Sequence, residues 1–271
     1  MKALHDLYTG PINVWVEDEV TRNTLTSLWR DTQVRVHLGG SQRGVQFAVD
    51  EAREVSTTLV VGVVDRDFQD DDSARWRDTP VLRLRAHECE NLLLDFEIIA
   101  GLSEGQTADG LRGVAHQHAT ALLWWTACCA VMHELHESFG PSLPRRPRQG
   151  DVRTSQEATE HIRGSTELDA HVRAVTNCTN SATIRDLVQS KGTELEVHLT
   201  GDTWLSVFPG KEILRHLRST VPGLDAAKSG ITPTERDLDL AKRITRAMAQ
   251  EDRIPAELTE LLQILRQRGR L

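Results

Sequence analysis

The sequence predicts an α/β fold built on a parallel, doubly wound sheet. Three observations carry that prediction. The run Leu59-Val60-Val61-Gly62-Val63-Val64 is apolar at every position, as a strand covered on both faces must be. Short strand-like and helix-like segments alternate through the first hundred residues, the pattern of successive βαβ units. Acidic residues follow three of the strand-like segments, and open α/β sheets gather their chemistry at the carboxyl ends of the strands.

The elements follow in order. Ile12 to Val16 reads as a short strand that ends at Glu17, and residues 19–30 carry helical spacing at Val20, Leu25 and Leu28. Val34 to Leu38 is a second strand. Gly39-Gly40-Ser41 turns the chain into a helix near Val45 to Val55. The valine strand leads to Asp65-Arg66-Asp67 and an acidic loop, and residues 80–84 form a fourth strand. The pattern then changes. One long helix is expected over 113–139, with Trp124 and Trp125 facing a core, and the Pro- and Arg-rich stretch 140–150 breaks it. Helices near 155–175 and 181–190 precede strand-like segments at 194–199 and 204–208. Pro209-Gly210-Lys211 opens an amphipathic helix through Leu217, and helices near 236–250 and 255–268 close the chain. The expected organisation is an α/β core over 1–100, a helical insert over 101–204, and a return to the core with C-terminal helices over 205–271.

Composition narrows the function. The net charge of −8 argues against broad electrostatic binding to nucleic acid, but it leaves room for a nuclease that holds phosphates through cations. No apolar run reaches the ~20 residues that span a bilayer, and the first residues lack a signal-peptide pattern, so no membrane association and a cytoplasmic location are expected. Cys89, Cys128, Cys129 and Cys178 show no metal-binding or disulfide spacing.

The acids point to a divalent cation. On extended chain Asp65 and Asp67 would project to the same side, roughly 6.6 Å apart, where two carboxylates repel unless a cation joins them. Glu17 ends the first strand, and Glu88 and Glu90 follow the fourth. Parallel strands would bring all three groups to one edge. Mg²⁺ takes a few carboxylates and several waters, and two such ions about 4 Å apart clamp a phosphodiester at its attacking and leaving oxygens.

These motifs carry a resemblance. Val16-Glu17-Asp18 before a helix, then Val64-Asp65-Arg66-Asp67, resembles the Toprim domain of topoisomerases, bacterial primases and OLD-family nucleases. His87-Glu88-Cys89-Glu90-Asn91-Leu92-Leu93-Leu94 is similar to the "ENxLL" segment of the OLD-like Toprim subfamily that includes the effector of PARIS anti-phage systems. Phe208-Pro209-Gly210-Lys211-Glu212 resembles a Gly-Lys motif of that subfamily, and the closing helices fit as well. The resemblance spans about 1–100 and 205–271. Asp18 stands where many Toprim domains have glycine, and Thr21 where they have aspartate.

The resemblance implies a Toprim-like sheet and a Mg²⁺-dependent endonuclease, with Mn²⁺ able to substitute. Glu17 would be a metal ligand and general base. Asp65 and Asp67 would hold metal, Glu90 would be a further ligand with Glu88 the lesser candidate, and Lys211 would stabilise charge on the phosphate. It further implies a toxic anti-phage effector that cleaves tRNA, works beside an ABC- or AAA-type ATPase and forms a possible homodimer. An OLD-like DNA nuclease or nickase, or a non-catalytic module that binds a partner ATPase, are the alternatives.

Other signals are weaker. His133 and His136 lie at i, i+3 rather than the zinc-protease spacing and read as a solvated helix face. Gly39 to Gly44 lacks a Walker lysine and reads as a tight turn. Arg145, Arg146 and Arg148 suit either a nucleic-acid backbone or solvent.

Overall fold

The structure is a computed structural model that describes residues 12–31, 33–55, 58–139, 147, 150–163, 181–225 and 230–269. Arg145, Arg146, Arg148, Cys178 and the part of the expected 155–175 helix beyond residue 163 lie outside them. The chain divides into two compact units, residues 1–112 with 209–271, and residues 113–208.

The first unit is an α/β fold on a four-stranded, all-parallel sheet. Its strands are β1 (Ile12–Val16), β2 (Val34–Leu38), β3 (Leu59–Val64) and β4 (Val81–Arg83), in the order β2-β1-β3-β4. β1 pairs Ile12 with Val34 of β2 and with Leu59 of β3, and β3 pairs Val63 with Leu82. The reversal of order beside β1 places the carboxyl ends of β1 and β3 next to each other, where such sheets open a crevice.

Both faces of β3 are covered. α2 (Gln42–Val55) lays Val45, Val49 and Ala52 against Val60 and Val64, with Trp15 and Val81 beside them. The approach is close, since a Cβ on Gly62 would lie 2.5 Å from Val45 Cγ1. Val14, Val16, Val61 and Val63 are fully buried, and burying each such side chain contributes about 1.5–3 kcal/mol. α1 (Glu19–Trp29) packs against α10 (Pro233–Gln250) and α11 (Ala256–Arg268). Trp29 Nε1 donates to the Leu258 carbonyl at 3.0 Å. The C-terminal helices therefore complete the same core as the N-terminal strands. Two further helices belong at least partly to this unit: α3 (Phe96–Leu102), which periodicity did not reveal, and the start of α4 (Ala108–Ala121). The divisions fall at 112/113 and 208/209 rather than at 101 and 205.

The second unit is helical among its described residues. α5 (Leu123–Phe139), α6 (Ser155–Arg163) and α7 (Ser181–Thr200) enclose Cys128, Val131, Met132, Ile162, Ile184 and Val188, with Trp124 packed against them. The single helix expected over 113–139 is two, parted at Leu122, and the first begins at Ala108. The strand expected at 194–199 is the end of α7. Leu195 and Val197 alternate with polar residues, but Leu195 is 4% exposed and Val197 66%. The deciding period is Ile184, Val188 and Leu195, one face of a helix. The segment expected as a strand at 204–208 is a single helical turn, α8 (Trp204–Val207). α9 (Gly210–Thr220) then opens the return to the first unit. No helix among the described residues is long and apolar enough to cross a membrane.

Candidate metal centre

The site grows out of the ends of β1, β3 and β4. β1 stops at Val16, and Asp18 takes extended backbone as the N-cap of α1, its Oδ1 accepting the Thr21 amide at 2.8 Å. Glu17, between them, turns back across the sheet edge, where its Oε1 accepts the Asp65 amide at 3.0 Å. The Gln42 amide at the start of α2 bonds the same carboxylate. The glycine turn 39–41 makes that possible: Gly39 N donates to the Val16 carbonyl at 2.7 Å, and Gly40 has φ of +83°.

Beyond β3, Asp65 Oδ1 accepts the Cys89 amide at 2.9 Å. Asp67 has φ of +51°, and its amide donates to the His87 carbonyl at 2.8 Å. This left-handed residue ends the extended chain on which the expected alignment of Asp65 and Asp67 relied. Each instead joins a separate group. Glu88 is the N-cap of a 3₁₀ turn, Cys89–Leu93: its amide donates to Asn91 Oδ1 at 2.8 Å, and its side chain accepts the Asn91 amide. Glu88 Oε2 also accepts the Lys211 amide at 2.9 Å, which ties α9 to the site.

Two sets of ligand atoms result. Asp18, Asp65 and Glu90 form one and Asp67, His87 and Glu88 the other, and within each set the atoms lie within 4.8 Å of one another. Glu17 belongs to neither set. Of the sequence candidates, Asp65, Glu90 and Asp67 thus fall into ligand sets, Glu17 braces the end of β3, and Lys211 starts the adjoining helix. The two sets also take in Asp18 and His87, which sequence reasoning did not single out, and Glu88, which it placed behind Glu90. Asp18 stood out only as a replaced glycine, although an acid directly before a helix was itself a signal.

The electrostatics are those of crowded carboxylates. Burial pushes Glu90, 5% exposed, up to about 8, with Glu88 and Asp18 adding repulsion. Burial likewise pushes Glu88 up to about 7, with Asp67 contributing, and Glu17 up to about 7, with Asp67 and Asp18 contributing. Asp65 is raised well above the ordinary range by burial and then by Glu90, Asp18, Glu88 and Glu17. The Cys89 thiol is raised well above its usual value by burial and by Asp65 and Glu90, which leaves it unreactive. Desolvation works against the Lys211 ammonium, but Glu90, Glu88 and Asp18 outweigh it and raise its pKa.

The donor set fits a hard divalent cation. Five of the six candidate ligands offer carboxylate oxygen, which would suit Mg²⁺ and Mn²⁺, and the His87 imidazole in the second set would favour Mn²⁺. A 2+ charge there would relieve the repulsion that lifts these pKa values. No protein-family model matches the chain, and no curated protein matches it significantly.

Proposed function

We propose that this protein is a metal-dependent endonuclease that hydrolyses phosphodiester bonds in nucleic acid, with Mg²⁺ or Mn²⁺ bound at the two acidic sets. The observation that carries the reading is the convergence of Asp18, Asp65, Glu90, Asp67, His87 and Glu88 at one sheet edge, with the Lys211 helix against them. A purely structural cluster of this kind would lose stability through its own repulsion, whereas one that binds cations gains from it.

Divalent cations bound there would neutralise the scissile phosphate and make an attacking water more acidic. The chain's own residues supply the rest. Glu17, whose carboxyl burial pushes up in the metal-free protein, is the carboxylate placed at the sheet edge to accept a proton from that water. Its two backbone bonds keep it pointed at the sheet edge. Lys211 remains charged and can stabilise negative charge on the phosphate oxygens in the transition state. Asp65, held by the Cys89 amide, and Glu88, held by the Lys211 amide, keep their ligand oxygens in place.

The resemblance to OLD-like Toprim nucleases makes tRNA the first substrate to test and DNA the second. It also supports a cytoplasmic anti-phage effector restrained by a partner ATPase. The test is cleavage of end-labelled tRNA and of supercoiled plasmid by purified protein with Mg²⁺, Mn²⁺ or EDTA. Cation-dependent cutting that Asp65→Asn abolishes is expected. Cutting that survives in both Glu17→Gln and Asp65→Asn, or resists EDTA, would refute the proposal.

A further inference from the structure

The junction between α9 and the 89–93 turn leaves no room for a side chain. A Cβ on Gly210 would stand 2.4 Å from the Asn91 amide nitrogen and 2.8 Å from its Oδ1. Backbone would have to move to admit it, because the nearest atom belongs to the main chain. Hydrogen bonds cross and brace the same junction. Lys211 N donates to Glu88 Oε2 at 2.9 Å, and Asn91 Oδ1 accepts the Glu88 amide at 2.8 Å. Pro209 stands at the N-cap of α9 and offers no side-chain cap. The cap comes instead from Glu88, which at the same time caps the 3₁₀ turn through the Asn91 amide. One carboxylate therefore closes two elements and also belongs to the Asp67–His87–Glu88 ligand set.

We infer that Asn91 and Gly210 are positioning residues, a clasp through which cation occupancy at Glu88 sets the placement of the helix that bears Lys211. The inference rests on the proposed function for cation binding at Glu88 and for the role of Lys211, while the junction that links them is seen in the geometry. A cation that holds Glu88 also holds the acceptor for the first amide of α9 to be capped by a side chain. By linkage, a firmly seated α9 strengthens cation binding by the same factor. Asn91 fixes the Glu88 backbone, and the missing side chain at 210 lets the two segments meet. Neither residue touches a reacting atom.

The test is hydrogen exchange by mass spectrometry on the full chain, in EDTA and in saturating Mg²⁺, alongside cleavage kinetics. In the wild type, Mg²⁺ should slow exchange at the start of α9 several-fold. Asn91→Asp keeps the acceptor oxygen and should keep that response. Asn91→Leu and Gly210→Ala should lose it, bind Mg²⁺ about tenfold more weakly, and lower kcat about tenfold or more with little change in KM. The Asn91 pair carries the test should Gly210→Ala not fold. A Mg²⁺ response equal in Asn91→Leu and wild type, or none in the wild type, would overturn the clasp. A wild type that shows the response yet cuts no nucleic acid would sink the nuclease reading and leave the clasp standing. Cutting by Asn91→Leu at the wild-type rate would do the reverse.

Discussion

Replacing Glu90 with glutamine should stabilise the metal-free protein at alkaline pH while removing a ligand from one of the two proposed cation sites. Glu90 is almost fully buried and its carboxyl is pushed from an ordinary 4.5 up to about 8 by burial, Glu88 and Asp18. A folded-state pKa above the unfolded one means that the folded protein holds the proton more tightly. The associated stability is therefore present below about pH 4.5 and is lost as pH rises through about 8. At about 1.4 kcal/mol for each pH unit, the full loss for an isolated group would be about 5 kcal/mol. Part of the rise at Glu90 comes from Glu88 and is not lost as an isolated group's would be, so removing the Glu90 charge should recover about 2 kcal/mol. For a chain of this size that is a rise in Tm of about 4–8 °C. Thermal denaturation in EDTA from pH 5.5 to 8.5 gives the reading. Wild-type Tm should fall across the range, Glu90→Gln should fall less, and Mg²⁺ should raise the wild-type Tm far more at pH 8.5 than at pH 5.5. A flat wild-type profile, or a Glu90→Gln protein no more stable than wild type at pH 8.5, would refute the reasoning.

Asn caps helices about as well as Asp, so Asp18→Asn should change stability by less than about 0.5 kcal/mol while Mn²⁺ affinity drops about tenfold; calorimetric titration separates the two. Lys211→Ala should lower kcat about 10²-fold with a small change in KM, and a large KM rise at constant kcat would contradict its transition-state role. Gly62→Ala should lower stability by about 1–3 kcal/mol, because its methyl would meet Val45 at 2.5 Å, as checked by denaturant unfolding with wild-type m-value.

Some of this fold was readable from residue patterns and some was not. β3 announced itself because a strand covered on both faces needs apolar residues at consecutive positions, and Val60, Val61, Val63 and Val64 have no competing explanation as a surface helix. Segment 194–199 misled because four residues of alternation match a strand while the helix period that decides it extends back to Ile184. Asp65 and Glu90 stood out through their positions after strands and meet in one candidate ligand set. Asp67 falls in the other candidate set, and the extended geometry that would align it with Asp65 does not continue through its left-handed backbone. The link between Glu88 and Lys211, whose amide it holds from a distant part of the chain, was not readable. No local pattern records that contact.

The most direct measurement is anomalous diffraction from crystals soaked in Mn²⁺. Peaks are expected among Asp18, Asp65 and Glu90 and among Asp67, His87 and Glu88, with Glu17 beside them but bonded to the Asp65 amide. Ordered side chains at both sets with no anomalous peak at millimolar Mn²⁺ would contradict the account.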